Sequence, residues 1–181
     1  MIQNKTDLEI FYSKRDPWAY EGNPDDTRRR AELLSVLPRQ RVRRTLDIGC
    51  GDGFVTFSLP GDEVVGVDFS ENAILHAKTA LSHHPEASRF AFCTGSIFEL
   101  DDIFPRGHFD LIVITGVLYP QYIGQAKQAV RLKVDQLLTE RGTLVCCHID
   151  AWYQPFFWYN CTDRSLYPYR GHTHVLEVYK K

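Results

Sequence analysis

Leu46-Asp47-Ile48-Gly49-Cys50-Gly51-Asp52-Gly53 is the stretch that decides the fold. An apolar run, Arg44 to Gly49, ends in three glycines spaced by single residues. Glycine turns the backbone sharply and lets a ligand approach, because no Cβ intervenes. A helix is expected to begin near Phe54 and to offer its unpaired N–H groups to the crevice at the strand end. The second apolar run, Glu63-Val-Val-Gly-Val-Asp68, closes on a carboxylate 15 residues past Gly53. A carboxylate there can accept hydrogen bonds from both hydroxyls of a ribose.

Outward from this pair the pattern repeats. Further strands are expected at Arg89–Thr94, Phe109–Thr115 and Thr143–Ile149, with a weaker one at Leu166–Arg170 and a last one at Thr173–Tyr179. Ser70 is a plausible N-cap for a helix carrying Ala73, Ile74, Ala77, Ala80 and Leu81 on one face, ending at His83-His84-Pro85. A long helix is expected from about Tyr122 to Leu138, stopped by Arg141-Gly142. Another precedes Arg44, capped by Asp25 or Asp26, with Ala31, Leu33, Leu34 and Leu37 as its apolar face. Near-continuous apolar strands separated by helices describe a parallel sheet covered on both faces. The tight connection before the last strand demands antiparallel pairing at the sheet edge. The expected fold is therefore α/β: an open, doubly wound, mostly parallel sheet with an antiparallel edge strand. It is read as one domain over 1–181, with a helical cap at 1–40, a ligand-binding core at 41–150 and an aromatic-rich segment with an edge hairpin at 151–181.

Composition sets the bounds. The chain has 181 residues, 44% hydrophobic and 24% charged, which suits a folded domain rather than a disordered chain. With 21 Lys+Arg against 23 Asp+Glu, the net charge of -2 gives no sequence-wide pull toward nucleic acid. No apolar run approaches the ~18–20 residues of a membrane span, and Met1 to Phe11 lacks the apolar core of a secretory signal. The five cysteines, Cys50, Cys93, Cys146, Cys147 and Cys161, form no C-x-x-C pair and read as free thiols of a reducing cytosol, with no metal site.

The glycine loop also selects among ligands. Dinucleotide enzymes prefer G-x-G-x-x-G, with pyrophosphate at the helix N-terminus. Here the spacing is G-x-G-x-G, and Asp47 and Asp52 would repel a pyrophosphate. A cationic, sulfonium-bearing nucleoside suits that loop better.

On these residues the chain resembles the class I S-adenosylmethionine (SAM)-dependent methyltransferases, over about Leu46 to Ile149. The resemblance implies that Leu46 to Gly53, with Asp47, Gly49, Cys50 and Gly51, wraps the amino-acid part of SAM. It implies that Asp68 holds the ribose and Phe69 flanks the adenine. Thr94-Gly95-Ser96-Ile97 occupies the third motif, with Ser96 where the family often has Asp, and Ile97 offers a backbone amide. Phe109 to Tyr119 resembles the fourth, where Thr115 would lie beside the sulfonium. Phe11-Tyr12-Ser-Lys-Arg15-Asp16-Pro17-Trp18-Ala-Tyr20 is similar to the D-P-W opening of the nodulation-type small-molecule N-methyltransferases. There the flank folds over SAM, which makes Tyr12 and Trp18 candidates to close the pocket. In Arg28-Arg29-Arg30 a solvated helix face is favoured over a partner for a carboxylate.

Methyl transfer needs alignment of donor and acceptor, exclusion of water and, for a protonated acceptor, a base. Tyr119, Tyr122, His148 and Asp150 follow the fourth and fifth strands and are candidates for that base. His148 suits the role because an ordinary imidazole titrates near 6.5, against the alternative of a packed histidine near the strand end, and Asp150 is similar. His83, His84, His172 and His174 fall in turns or at the edge and read as surface. The resemblance also implies a helix between the fifth strand and the last hairpin. Asp150 to Arg164 is too short for one, and eight of the 18 residues from Trp152 to Tyr169 are aromatic. Either a partner subunit or second copy replaces the helix, or the aromatic run is itself the acceptor wall, which is preferred. The N/D-P-P-Y/F tetrapeptide of amino-directed DNA methylases is absent, Thr115-Gly-Val-Leu-Tyr119-Pro120 standing in its place, which disfavours DNA. The reading is a cytoplasmic enzyme methylating N or O of a small molecule, an amino sugar or specialised metabolite. Its alternatives are a non-catalytic SAM-binding subunit and a protein or RNA methyltransferase.

Overall fold

The computed structural model describes residues 4–181. In chain order the elements are α1 (Lys5–Phe11), α2 (Pro24–Ser35), β1 (Arg44–Ile48), β2 (Glu63–Asp68), α3 (Glu71–Leu81), β3 (Phe90–Thr94), α4 (Leu100–Ile103) and β4 (Phe109–Thr115). Then follow α5 (Pro120–Ile123), α6 (Lys127–Leu137), β5 (Leu138–Ile149), β6 (Asn160–Tyr169) and β7 (His172–Lys180). The seven strands form one sheet in the order β3-β2-β1-β4-β5-β7-β6. The first five strands pair in parallel, and β7 runs antiparallel to both β5 and β6. The antiparallel pairing lies at that edge, with β7 the reversed strand and β6 outside it.

Both faces are covered. Cys146 packs with Leu46, Ile112 and the α6 residues Val130 and Val134. Its neighbour Cys147 packs on the other face with Leu111, Val113, Leu33 of α2 and Ile74 of α3. Successive strand residues point to opposite faces, so a strand buried on both must be apolar throughout.

Several element boundaries differ from expectation. After the glycine loop no α-helix forms; a single 3-10 turn covers Thr56–Ser58. Gly53 has φ +91 and Pro60-Gly61 follow closely, which leaves too little chain to repay helix nucleation. The long helix is broken in two at Gly124 (φ 54, ψ -129). It ends at Leu137, within a residue of the expected Leu138, and β5 begins at once, ahead of Arg141-Gly142; the carbonyls of Gln136 and Leu137 accept from the amides of Gly107 (2.8 Å) and His108 (2.9 Å). The α2 cap is Asn23, whose side chain accepts from the amide of Asp25, with Pro24 leading the helix. Ser70 caps α3 by accepting from the amide of Ala73. The hairpin turn is Arg170-Gly171, with φ 45 and 76, the left-handed pair that a type I′ turn needs. Helix α1 has no counterpart in the sequence reading. Its Glu9 accepts from the amides of Glu71 (2.7 Å) and Asn72 (3.0 Å), so it docks on the N-terminus of α3.

Candidate functional site

At the carboxyl end of β1 the chain turns through Gly49 (φ 78) and Gly51 (φ 55). Neither position has room for a Cβ: at Gly49 it would lie 2.1 Å from Val117 Cγ2, and at Gly51 3.0 Å from Tyr12 Oη. The amides of Gly49 and Cys50 donate to the Val67 carbonyl and so tie the loop to β2. Asp68, at the end of β2, accepts from the Gly51 amide (2.9 Å) through Oδ2 and from the Ser70 amide (2.9 Å) through Oδ1. Each oxygen keeps a free lone pair. Burial raises the pKa of Asp68, and its backbone hydrogen bonds oppose that.

Asp47 is buried, and the Thr56 hydroxyl donates to its Oδ2 at 2.6 Å. Its other oxygen, Oδ1, has no partner among the described residues. Burial pushes this carboxyl up to about 6. A buried acceptor without a donor is costly and is satisfied by a ligand or water.

A cavity of about 480 Å³ opens above this loop. It is lined by Asp47, Gly49, Cys50, Gly51, Asp68, Phe69, Ser96, Ile97 and Thr115, with Tyr12 and Trp18 from the amino-terminal flank. Trp18 Nε1 donates to Tyr12 Oη at 3.0 Å, and the Tyr12 carbonyl contacts His76 Nε2 at 3.0 Å, so α3 and the flank fix this roof. The cavity continues to Arg29, Tyr119, Tyr122, Ile149, Trp152, Tyr169 and His174.

The catalytic candidates fare differently. Tyr119 lines the cavity, and its hydroxyl oxygen accepts from the Ile149 amide at 2.7 Å. Burial holds its pKa well above the ordinary phenol value, so it keeps its proton and donates rather than acting as a base. His148 is 0% exposed and does not line the cavity. Its Nε2 accepts from the Leu118 amide at 3.2 Å, and its ring stacks on Tyr153 at 4.5 Å. Burial lowers its pKa to about 3, so it is a neutral core residue. Asp150 begins a 3-10 turn outside the cavity and pairs with Arg164 at 3.5 Å.

Two cavity residues escaped the sequence reading. Arg29 is buried rather than solvated, against Asp26 at 3.4 Å and over the Tyr20 ring at 5.0 Å, with its Nε making no hydrogen bond among the described residues. His174 is 5% exposed, on the cavity wall rather than the surface. The available signals were periodic. Asp26, Arg29 and Leu33 share a helical face, and His174 shares a strand face with Leu176 and Val178. Among the described residues, no group of three His, Cys, Asp or Glu is placed to hold a metal ion. No described helix is long and apolar enough to cross a membrane.

An open α/β sheet whose crest carries a glycine turn, a buried acid with one oxygen unpartnered among the described residues and a second acid at the next strand end has the form of a cradle for a cationic nucleoside. A methyltransferase-domain family model matches residues 41–171, and the chain belongs to this family, the class I SAM-dependent methyltransferases. The demethylmenaquinone methyltransferase of Lactococcus lactis is 33% identical over 150 residues, 79% of this chain and 52% of that protein. Nodulation protein S of Rhizobium tropici is 27% identical over 126 residues, 68% of this chain and 49% of that protein. The chain thus spans about half the length of these curated relatives. In fold it matches the N-methyltransferase NodS of Bradyrhizobium japonicum WM9 in complex with S-adenosyl-L-homocysteine, with a TM-score of 0.78 and 22% identity over 98% of this chain and 97% of that one.

The family's methyl donor is SAM, and the residues present fit it. The orphaned Asp47 oxygen suits an ammonium, and the free lone pairs of Asp68 suit a diol. The loop leaves the close approach that a Cβ would fill.

Proposed function

We propose that this chain transfers a methyl group from SAM to a nitrogen or oxygen atom of a small molecule, of the size and polarity of an amino sugar or specialised metabolite. The observation that carries the reading is the continuity of one cavity. The acid-and-glycine cradle and the rings of Tyr119, Tyr122, Trp152 and Tyr169 line the same cavity of about 480 Å³. That volume lies within the ~300–1,000 Å³ of small-molecule sites. Rings on the wall suit a ring-shaped acceptor.

In this reading Asp68 binds the ribose hydroxyls, and Phe69, Ser96 and Ile97 border the adenine. Asp47 binds the ammonium, with Gly49, Cys50 and Gly51 forming the floor beneath the amino-acid part. Arg29, on the cavity wall, is placed for the carboxylate. Thr115 lies beside the sulfonium, and Tyr12 and Trp18 close the roof and exclude water. Bound SAM supplies an electrophilic methyl carbon on a cationic sulfur. Tyr119 presents its O–H to the acceptor, because its oxygen is already engaged by the Ile149 amide.

The test has two measurements. Titration of S-adenosylhomocysteine by calorimetry should give binding to the wild type and roughly 100-fold weaker binding to Asp68→Asn, the equivalent of about 2.7 kcal/mol from charge-assisted hydrogen bonds. Unchanged affinity in a folded variant overturns the assignment. Labelled SAM incubated with amino sugars, fractionated metabolites and macromolecular extract should place label in a small molecule. Label confined to protein or RNA would overturn the substrate class.

A further inference from the structure

The sequence reading places the base on β5, and the core has taken that residue out of reach. The neighbouring strand supplies another. His174 is paired with Ile149 across β5 and β7, and the Ile149 amide is the group that holds Tyr119 Oη. His174, Ile149 and Tyr119 all line the cavity.

The two ring nitrogens of His174 have different surroundings. Nδ1 lies 3.4 Å from Tyr167 Oη and 3.5 Å from Cys147 Sγ, and those two atoms are 3.0 Å apart. Either Tyr167 or Cys147 can be the donor across the shortest side of this triangle. When the phenol donates to the sulfur, its oxygen is left to accept a hydrogen on Nδ1, the arrangement that a base at Nε2 requires. Nε2 makes no hydrogen bond among the described residues, and it is the nitrogen left to the cavity. A neutral imidazole with its proton on Nδ1 carries its lone pair on Nε2.

We propose that His174 is the general base of this enzyme, poised with its Nε2 lone pair toward the acceptor by Tyr167 and Cys147. This rests on the methyl-transfer reading above and adds the base to it. In the step, the acceptor's lone pair forms a bond to the methyl carbon as the carbon–sulfur bond breaks, and the bonding pair stays on sulfur. The proton of the acceptor's N–H or O–H passes to Nε2, and the imidazolium later gives it to solvent. Tyr167 and Cys147 act through His174 and are positioning residues.

The groups facing the ring set when it can work. They are Arg29 from α2, Cys147 from β5, Tyr167 and Tyr169 from β6, and His172 on its own strand; His148 lies on the opposite face of the sheet. Burial lowers the pKa of His174 to about 3, with the Arg29 cation and His172 adding to the effect. The ring is therefore neutral with its lone pair free, and a weak base while the site is empty. An anionic group bound beside Arg29 offsets that cation and makes the ring a stronger base once the site is loaded.

The first measurement needs no acceptor. In protein labelled with ¹⁵N-histidine and saturated with S-adenosylhomocysteine, long-range ¹H–¹⁵N spectra should show Nδ1 of His174 as the protonated nitrogen and Nε2 as the bare one, and Tyr167→Phe should erode that preference. A proton on Nε2 overturns the proposal. The second measurement uses His174→Asn, whose amide can replace Nδ1 but not Nε2. With the acceptor fraction identified by the label-transfer assay, kcat should fall about 100-fold or more. Affinity for S-adenosylhomocysteine should stay within about threefold, and the acid limb of the kcat–pH profile should disappear. An unchanged kcat and pH profile overturns the proposal. Failure of the wild type to bind S-adenosylhomocysteine would instead remove the methyl-transfer reading beneath it.

Discussion

Asp47 concentrates the chemistry of the site in one side chain. Its burial is unfavourable to its charge, and a cationic ligand reverses that preference. The unfolded carboxyl ionises near 3.9, whereas burial holds the folded one up to about 6. Between those values the folded chain binds more protons than the unfolded one, so Asp47 subtracts stability as pH rises from about 4 to 6 and changes nothing further above that window. An ammonium bound at Oδ1 selects the ionised form and gives the opposite trend for binding. Affinity for S-adenosylhomocysteine should rise by up to about tenfold per pH unit below 6, level off near neutrality, and lose this dependence in Asp47→Asn. Superimposable pH curves for the two proteins in calorimetry would remove Asp47 from the ammonium site. Asp47, Asp68 and the glycines were legible because a strand-end turn and its acids are local in sequence. His148 was misjudged because a histidine near a strand end looks alike whether it faces ligand or core.

At the scale of elements, the connection from β1 to β2 is a glycine turn with one 3-10 turn, and its shape depends on close packing rather than on a helix. Gly49 is its tightest point, with φ 78 and Val117 Cγ2 2.1 Å from where a Cβ would sit. Gly49→Ala should lower stability by about 2–4 kcal/mol in urea titrations, combining left-handed strain with overpacking. Adding Val117→Ala should recover the steric part and leave the strain of about 1–2 kcal/mol. Simple additivity of the two losses would show that the contact is not the cause. Apolar strand runs and the Ser70 cap were readable because their causes lie within a few residues. The break at Gly124, the early start of β5 and the docking of α1 were not, because their partners come from distant chain.

At the scale of the molecule, the two ends of the chain hold each other. Arg170, in the β6–β7 turn, donates to the carbonyls of Trp18 (2.8 Å) and Ala19 (3.0 Å) and, through Nε, to Asp26 at 2.8 Å. Asp26 is fully buried and also accepts from the Tyr169 hydroxyl at 2.7 Å. The hairpin therefore clamps the flank that carries the Tyr12 and Trp18 roof. Arg170→Met should remove about 3 kcal/mol of stability by stranding part of the Asp26 charge. The same change should speed release of S-adenosylhomocysteine in stopped-flow traces. Wild-type stability together with a wild-type release rate would show that the clamp does not hold the roof.

The sequence by itself determined the doubly wound sheet, the glycine turn and the acids of the cradle, since strand period, turn chemistry and caps act over a few residues; of the eight aromatics expected as a wall, Trp152 and Tyr169 line the cavity, while Tyr153, Phe156 and Phe157 pack into the core. Only the tertiary structure decided which histidine meets the cavity. Pairing in register sets His148 opposite Val175 and His174 opposite Ile149, on opposite faces of the sheet. It likewise buried Arg29 of α2 beside Tyr169 of β6. Which face of a strand or helix is covered depends on what packs against it, and that partner is supplied by distant parts of the chain.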